Sequence, residues 1–254
     1  MNNSLQATVP AARFWLPERV NPIHKVSISL SNLKYMPIAV IFDMDGVICH
    51  TNPYHSSAFR DFFARRDMYP TEEEFEQHMY GKSNSYIMSH FFGRKIEGQE
   101  LLDLEYEKES MFRELFKDRI EPISGFEKFF QSLKAEKIPT GVATSAPLDN
   151  LQLIAGKLGL LEQMESVLAS EDVTKHKPDP EVYLKSAANL GIDPSKCVVF
   201  EDSFSGVTAA KNAGMKVVGV LSSHAKEELP PCDLYIRDFY EINLDSIRKL
   251  FENN

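Results

Sequence analysis

The sequence has few cysteines, no long apolar run and fewer basic than acidic residues. Its three cysteines, Cys49, Cys197 and Cys232, are an odd number without metal-type spacing, which favours a reducing compartment and, by default, the cytoplasm. No apolar run approaches the roughly eighteen residues of a membrane span, so no transmembrane helix is expected. The net charge of −9 argues against nucleic acid or an anionic membrane surface as the main partner.

The first 36 residues lack the pattern of a secretory signal and include Pro10, Pro17, Pro22 and the single tryptophan, Trp15. We interpret residues 1–36 as a flexible or loosely docked N-terminal extension. Alternation of apolar and polar residues at 26–33 leaves a short edge strand open as an alternative there. Because Met36 directly precedes the first apolar strand, a translation start at that residue is a further hypothesis.

From residue 38 onward, short β-like runs alternate with segments of helical periodicity. Strands are predicted at 38–42, 140–143, 197–200 and 217–220, with shorter ones at 167–169 and 233–236. Helical stripes at 126–137 and 183–190 lie between them. This alternation is typical of an α/β fold with a parallel sheet and helices on both faces.

The interval 51–120 interrupts this alternation, because it has helical patterns at 54–65, 71–79 and 99–116 but no convincing strand. Thr71 followed by three glutamates is a good helix start, with a capping hydroxyl and an acidic first turn. We therefore predict a core domain from residues 37–50 and 121–254, with a small helical cap domain at 51–120 inserted just beyond the first strand as a lid.

The run from Val40 to Val47 is an apolar strand that ends in two aspartates and a glycine. Residues two apart in an extended segment point to the same side, so Asp43 and Asp45 can reach a single reacting centre. Taken alone, the same residues also suit a plain turn or a calcium loop. The other strand ends decide between these interpretations.

Ligands of an open parallel sheet bind outside the carboxyl ends of its strands. Further polar side chains follow the predicted strands there or lie in the loops between them. They are Thr144, Ser145, Lys177, Glu201 and Asp202. Carboxylates, hydroxyls and a lysine from separate strands favour phosphoryl transfer over turn chemistry.

In this interpretation Asp43 attacks phosphorus and Asp45 serves as the general acid and base. Carboxylates packed around a phosphate require a divalent cation, and oxygen ligands suit Mg²⁺. Asp43, the backbone carbonyl of Asp45 and Asp202 are the predicted ligands, and Glu201 either ligates through water or orients Lys177. Thr144, Ser145 and Lys177 are predicted to hold the transferring phosphate.

Four segments in this order share a pattern with one family: Phe42-Asp43-Met44-Asp45-Gly46-Val47, Thr144-Ser145, Lys177-Pro178 and Glu201-Asp202-Ser203. The chain resembles the haloacid dehalogenase superfamily over residues 36–238, and within it the β-phosphoglucomutase-like phosphatases. That resemblance implies a Rossmann-like core with a helical cap inserted after the first motif. The second acid, Asp45, implies a phosphotransferase, since the dehalogenases proper lack it.

The resemblance also indicates cap residues. His55 matches a hinge histidine that couples substrate binding to proton transfer, with Thr51 in the same hinge, and Lys108 falls where the family can contact substrate. The structural alternatives are a half-buried helix histidine for His55 and, for Lys108, a solvated helix lysine paired with glutamates. The mutases carry an arginine in a Gly-x-Ser-Arg pattern, where this chain has Gly81-Lys82-Ser83-Asn84.

Asparagine offers no charge for a second phosphate, and Lys82 is only a point charge two positions away. The loop Thr144-Ser145-Ala146-Pro147 is also less polar than the corresponding mutase loop. We therefore expect a Mg²⁺-dependent phosphatase for a small phosphorylated metabolite, with Lys82 helping to hold an anionic substrate. The alternatives are a hexose-phosphate mutase, an inorganic pyrophosphatase and a non-catalytic phosphate-binding module. We expect a monomer or weak homodimer that binds neither nucleic acid nor membrane.

Overall fold

The computed structural model describes residues 37–79 and 83–252. Within them, six parallel strands form one sheet in the order β3-β2-β1-β4-β5-β6. Their bounds are β1 Ala39–Phe42, β2 Thr140–Ala143, β3 Ser166–Leu168, β4 Cys197–Glu201, β5 Lys216–Val220 and β6 Leu234–Ile236. Every strand predicted from residue 38 onward is present with its ends within one residue of the prediction, and the predicted α/β class is confirmed.

The central strand β1 is buried on both faces, as its unbroken apolar sequence requires. Val40 and Phe42 face one apolar core, while Ala39 and Ile41 face the other. Phe42 stacks on Phe200 of β4, with ring centroids 5.1 Å apart. Because β1 hydrogen-bonds to β2 on one side and to β4 on the other, its carboxyl end lies at the centre of the sheet edge.

Helices cover both faces of this sheet. They are α5 Phe126–Ala135, α6 Leu148–Lys157, α7 Glu181–Leu190, α8 Phe204–Asn212 and α9 Leu244–Lys249. Phe126, Phe129, Phe130 and Leu133 form the buried stripe of α5, as their spacing predicted. The helices and the sheet together form a packed core, which fixes the positions of the strand ends.

In the described part of the interval between β1 and β2 lie four helices: α1 Asn52–Ala64, α2 Glu72–His78, α3 Asn84–Phe91 and α4 Gly98–Phe116. They share an apolar core that includes Phe59, Phe62, Phe63 and Phe75. We call residues 52–116 the helical insertion. The sequence predicted α1, α2 and α4 but not α3, which has only eight residues, two of them buried apolar ones.

The predicted start of α2 has the expected geometry. Thr71 Oγ1 accepts a hydrogen bond from the Glu74 amide at 3.2 Å, and the Glu74 carboxylate accepts one from the Thr71 amide at 2.7 Å. The division into core residues 37–50 and 121–254 and cap residues 51–120 stays a prediction. Residues 1–36, with the predicted strand at 26–33, and Lys82 lie outside the described residues.

Within the described part of the chain, none of the helices combines the length and the apolar character needed to cross a membrane.

Candidate active site

Asp43 directly follows β1 and lies at the centre of the sheet edge. Its backbone amide donates to the Phe200 carbonyl at 3.0 Å, which continues the pairing of β1 with β4. The Lys177 ammonium donates to Asp43 Oδ1 at 2.6 Å, to the Ala143 carbonyl at 3.2 Å and to Glu201 Oε1 at 2.9 Å. Lys177 thus joins the ends of β1, β2 and β4, and all three of its donors are used.

Glu201, the last residue of β4, has both carboxylate oxygens occupied. Oε1 accepts from the Tyr183 hydroxyl at 3.0 Å as well as from Lys177, and Oε2 accepts from the amide of Ser203 at 2.9 Å and from its hydroxyl at 3.0 Å. Burial raises the pKa of Glu201, but Lys177 and Ser203 outweigh it, so the pKa lies below its ordinary value. This geometry fits the orienting role for Glu201 better than direct metal ligation.

Asp202 approaches the turn after β1. Its Oδ2 lies 1.9 Å from the position that a Cβ on Gly46 would occupy, so only glycine permits this contact. The Ser223 hydroxyl donates to Asp202 Oδ2, and Ser222 donates to the Gly46 carbonyl. Asn52, the first residue of α1, donates to Ser223 Oγ at 2.5 Å, so the helical insertion also reaches this carboxylate.

The buried carboxylates carry more negative charge than Lys177 can balance. Burial, followed by the charges of Glu201 and Asp43, raises the pKa of Asp202 well above its ordinary value. Burial likewise raises the pKa of Asp43 to about 7, although Lys177 beside it acts in the opposite direction. An added cation would lower both pKa values, so this donor set fits a metal.

Asp43, Asp202 and the backbone carbonyl of Asp45, the predicted ligands, would supply only part of a metal coordination shell. Among the described residues, no group of three or more His, Cys, Asp or Glu side chains is arranged to hold a metal alone. Carboxylate and carbonyl oxygens are the hard ligands that Mg²⁺ takes, and it binds through one or two carboxylates together with waters and substrate phosphate. The residues present therefore fit Mg²⁺ better than a metal held entirely by protein.

Asp45 lies two residues beyond Asp43 and is the more open of the two, with 22% of its side chain exposed. The nearest basic atom to its Oδ1 is His55 Nε2, at 3.5 Å. Asp45 Oδ1 and Thr51 Oγ1 are buried and have no hydrogen-bond partner in the described structure. Burial raises the pKa of Asp45, but His55 and Thr51 outweigh it and leave the pKa below its ordinary value.

His55 and Lys108 form a contact inside the helical insertion. Lys108 Nζ lies 3.0 Å from His55 Nδ1, and because an ammonium only donates, Nδ1 accepts and Nε2 carries the proton that faces Asp45. The His55 ring stacks on Phe112 with centroids 3.7 Å apart and an interplanar angle of 5°. Lys108 is 1% exposed and pairs with Glu109. It therefore has the glutamate partner that the structural alternative predicted, but it is buried and not solvated.

The other predicted phosphate-binding residues in the described part of the chain, Thr144 and Ser145, directly follow β2. Thr144 is buried directly after β2, where its Oγ1 accepts from the Ala146 amide at 3.0 Å and its hydroxyl hydrogen is left to donate. Ser145 is exposed beside it. Asn84, which stands where the mutases carry arginine, donates to Glu109 Oε1 at 2.9 Å.

Several residues around this site were not predicted from the sequence: Asn52, Glu109, Asn150, Tyr183, Ser222 and Ser223. Ser222 and Ser223 closely follow β5, so the strand-end rule that indicated Thr144 would have found them. The contact between Glu109 and Asn150 has no comparable signal in the sequence, because the two residues lie on helices that are far apart along the chain.

Comparison with known proteins agrees with this geometry. The family model described as haloacid dehalogenase-like hydrolase matches residues 40–220. A candidate pyrophosphatase, PpaX, from Clostridium perfringens is 33% identical over 217 residues, which cover 84% of this chain and 98% of the relative. A phosphorylated carbohydrates phosphatase from Thermotoga maritima is 32% identical over 191 residues, which cover 73% and 86%.

A crystal structure of β-phosphoglucomutase from Clostridium difficile superposes with a TM-score of 0.74 at 25% identity, covering 85% of this chain and 97% of that one. By its family-model match and these relatives, the chain belongs to the haloacid dehalogenase-like hydrolases.

Proposed function

We propose that this hydrolase is a Mg²⁺-dependent phosphatase that cleaves a small phosphate ester through an aspartyl-phosphate on Asp43. The observation that carries the proposal is the contact of Lys177 with both Asp43 and Glu201, at the point where three strands end. The substrate class is supported by the similarity to a phosphatase of phosphorylated carbohydrates.

In the first step, a carboxylate oxygen of Asp43 attacks phosphorus and the bond from phosphorus to the leaving oxygen breaks. Asp45 donates its proton to that oxygen. In the second step, Asp45 takes a proton from a water that attacks the aspartyl-phosphate, which releases inorganic phosphate and regenerates Asp43. The 3.5 Å approach of His55 Nε2 to Asp45 keeps the second carboxylate oriented for both transfers.

The positive charge of Lys177 and the hydroxyl of Thr144 are placed to stabilise the transferring oxygens, where negative charge spreads in the transition state. Asp43, Asp202 and the Asp45 carbonyl would hold Mg²⁺, and the hydrogen bonds of Glu201 with Lys177, Tyr183 and Ser203 suit it to orienting Lys177. When bound, Mg²⁺ supplies positive charge that favours ionised Asp43 and offsets the charge of the phosphate.

Hydrolysis is favoured over mutase chemistry by the contacts of Asn84. A mutase must grip a second phosphate, yet the Asn84 amide is uncharged and donates to Glu109. We further propose that the enzyme is cytoplasmic, is a monomer or weak homodimer, and has neither nucleic acid nor a membrane as a partner. A role for Lys82 with an anionic substrate stays a prediction.

A phosphate-release screen over sugar phosphates, phosphoglycolate, nucleotides and pyrophosphate tests the proposal. We expect a sugar phosphate or similar ester to be hydrolysed, EDTA to abolish the activity and added Mg²⁺ to restore it. Asp43→Asn should be inactive, while Asp245→Asn on the exposed face of α9 should match the wild type. Turnover that persists in EDTA or in Asp43→Asn would contradict the mechanism.

The same assays separate the alternatives. Formation of glucose 6-phosphate from β-glucose 1-phosphate with a bisphosphate activator would identify a mutase. Release of phosphate from pyrophosphate alone would identify a pyrophosphatase, the function in the name of the Clostridium perfringens relative. Absence of any turnover, with ligand binding unchanged in Asp43→Asn, would identify a non-catalytic phosphate-binding module.

A further inference from the structure

Asn150 on α6 is fully buried where α6 meets α4 of the helical insertion. Its Nδ2 donates to Glu109 Oε2 at 2.7 Å, and its Oδ1 accepts from Arg113 Nη1 at 3.0 Å. Glu109 and Arg113 lie one helical turn apart on α4, so one hydrogen-bonds to the nitrogen and the other to the oxygen of the Asn150 side-chain amide. We call Glu109, Arg113 and Asn150 the amide clamp.

The other oxygen of Glu109 faces the interior of the insertion. Oε1 accepts from Asn84 Nδ2 at 2.9 Å and lies 2.5 Å from Lys108 Nζ. Burial acts to raise the pKa of Glu109, but Lys108 and His55 outweigh it and lower the pKa to about 2, so the carboxylate is ionised at neutral pH. One buried charge therefore joins α3, α4 and α6.

Lys108 connects this clamp to the chemistry. Its ammonium is held between the Glu109 carboxylate and His55 Nδ1, at 3.0 Å from the latter, and lies 4.5 Å from the centre of the Phe59 ring. His55 in turn presents Nε2 to Asp45 at 3.5 Å. A continuous series of contacts thus runs from α6 to the carboxylate that moves the proton.

The clamp can exist only while the insertion packs against the sheet domain. Separating α4 from α6 would break both hydrogen bonds to Asn150 and leave buried polar groups without partners, which is costly unless water replaces them. From this geometry we propose that Glu109 and Asn150 are positioning residues, which lock the closed insertion and thereby place His55 against Asp45 for proton transfer. The inference rests on the proposed phosphatase function.

Asn150→Asp tests the clamp, because it keeps the shape, removes the Nδ2 donor and sets two carboxylates against each other. Asp149→Asn is the matched control: its carboxylate is exposed and, among the described residues, pairs with Arg113 alone, at 3.4 Å. Adding Glu109→Gln to Asn150→Asp is the rescue variant, because the new amide nitrogen at position 109 can donate to the new carboxylate at position 150.

Phenyl phosphate and p-nitrophenyl phosphate are the probes, since the two esters are of similar size but nitrophenolate leaves without needing a proton. We expect Asn150→Asp to slow single-turnover cleavage of phenyl phosphate about tenfold more than that of p-nitrophenyl phosphate. The control should match the wild type on both esters, and the rescue variant should regain part of the loss on phenyl phosphate.

Equal losses on the two esters, or no recovery in the rescue variant, would overturn the proposal, because a purely structural role would not distinguish the leaving groups. If the wild type shows Asp43-dependent turnover neither of these esters nor of any ester in the phosphate-release screen, the proposed function fails instead. The clamp is then judged by amide hydrogen exchange alone. Faster exchange in α1 and α4 of Asn150→Asp than of Asp149→Asn supports it, and equal exchange overturns it.

Discussion

The carboxylate of Glu201 occupies the space in which any side chain on Gly206 would begin, because its Oε1 lies 1.5 Å from that Cβ position. Gly206→Ala should therefore displace Glu201, release Lys177 from its fixed position and lower phosphate release about tenfold or more. Overpacking at such a site also destabilises a fold by about 1–3 kcal/mol. Thermal unfolding and a phosphate-release assay measure the two effects.

Gly156→Ala on α6 is the matched control. A Cβ there would meet only Leu161 Cδ1, at an ordinary 3.6 Å. We expect unchanged activity and a gain of about 0.5–1 kcal/mol from the higher helix propensity of alanine. Full activity in Gly206→Ala would show that this packing does not hold Glu201 in place.

Asp43→Asn should stabilise the metal-free protein above neutral pH. With its pKa raised from 3.8 to about 7, Asp43 binds more proton in the folded state, so stability falls as the pH rises through this range. The variant has no ionisable group at position 43, so it does not lose stability in this way. In EDTA at about pH 8 we expect its Tm to exceed that of the wild type by about 2–4 °C per kcal/mol gained.

The difference between the two proteins should disappear below about pH 3, where the wild-type carboxyl is protonated in both the folded and the unfolded state. Saturating Mg²⁺ at about pH 8 should reverse the order, since only the wild type keeps the full set of ligands. Differential scanning fluorimetry across pH is sufficient. A variant that is less stable than the wild type in EDTA at high pH would refute the charge argument.

Glu109→Gln should weaken the loss of folding stability that the wild type shows as the pH becomes acidic. Because the pKa of Glu109 is lowered from 4.5 to about 2, its contribution is complete above pH 4.5 and is lost as the pH falls towards 2. This pKa shift contributes at most about 3 kcal/mol to the free energy of unfolding. Urea unfolding near about pH 7 and pH 3 should show the wild-type advantage shrinking at the lower pH.

Tyr183→Phe should cost stability but little activity. It removes the buried hydroxyl that donates to Glu201 Oε1 at 3.0 Å, which is worth about 1–2 kcal/mol. Lys177 and Ser203 still hold the carboxylate, so we expect phosphate release within about threefold of the wild type. Tyr240→Phe, at a tyrosine 70% exposed, should change neither property. A severe loss of activity would assign Tyr183 a direct part in the chemistry.

The strand ends were predictable because a parallel sheet converts sequence order into position. Once β1, β2 and β4 were recognised, Asp43, Thr144 and Glu201 had to meet at one edge, and the structure places them there. The family could be recognised for the same reason, since its motifs occupy these strand ends. Short apolar runs with clear turns carry enough information to locate such strands.

The contacts within the helical insertion could not be predicted in the same way. Helical periodicity shows that one face of α4 is buried but does not show which helix covers it. The burial of Lys108 and its pairing with Glu109 therefore had no signature, and neither did the partner Asn150 on α6. The helix α3 was missed because so short a segment gives little periodicity.

The position of β1 between β2 and β4 also bears on how the molecule is assembled. Val40 is made early, yet its sheet partners Thr140 and Val198 are made much later. Contacts this distant in sequence form slowly, because long loops must close before pairing is rewarded. Ser223, which holds Asp202, comes later still. Asp43, the proposed nucleophile, therefore reaches its place between β2 and β4 only after the segments around Thr140 and Val198 have been made.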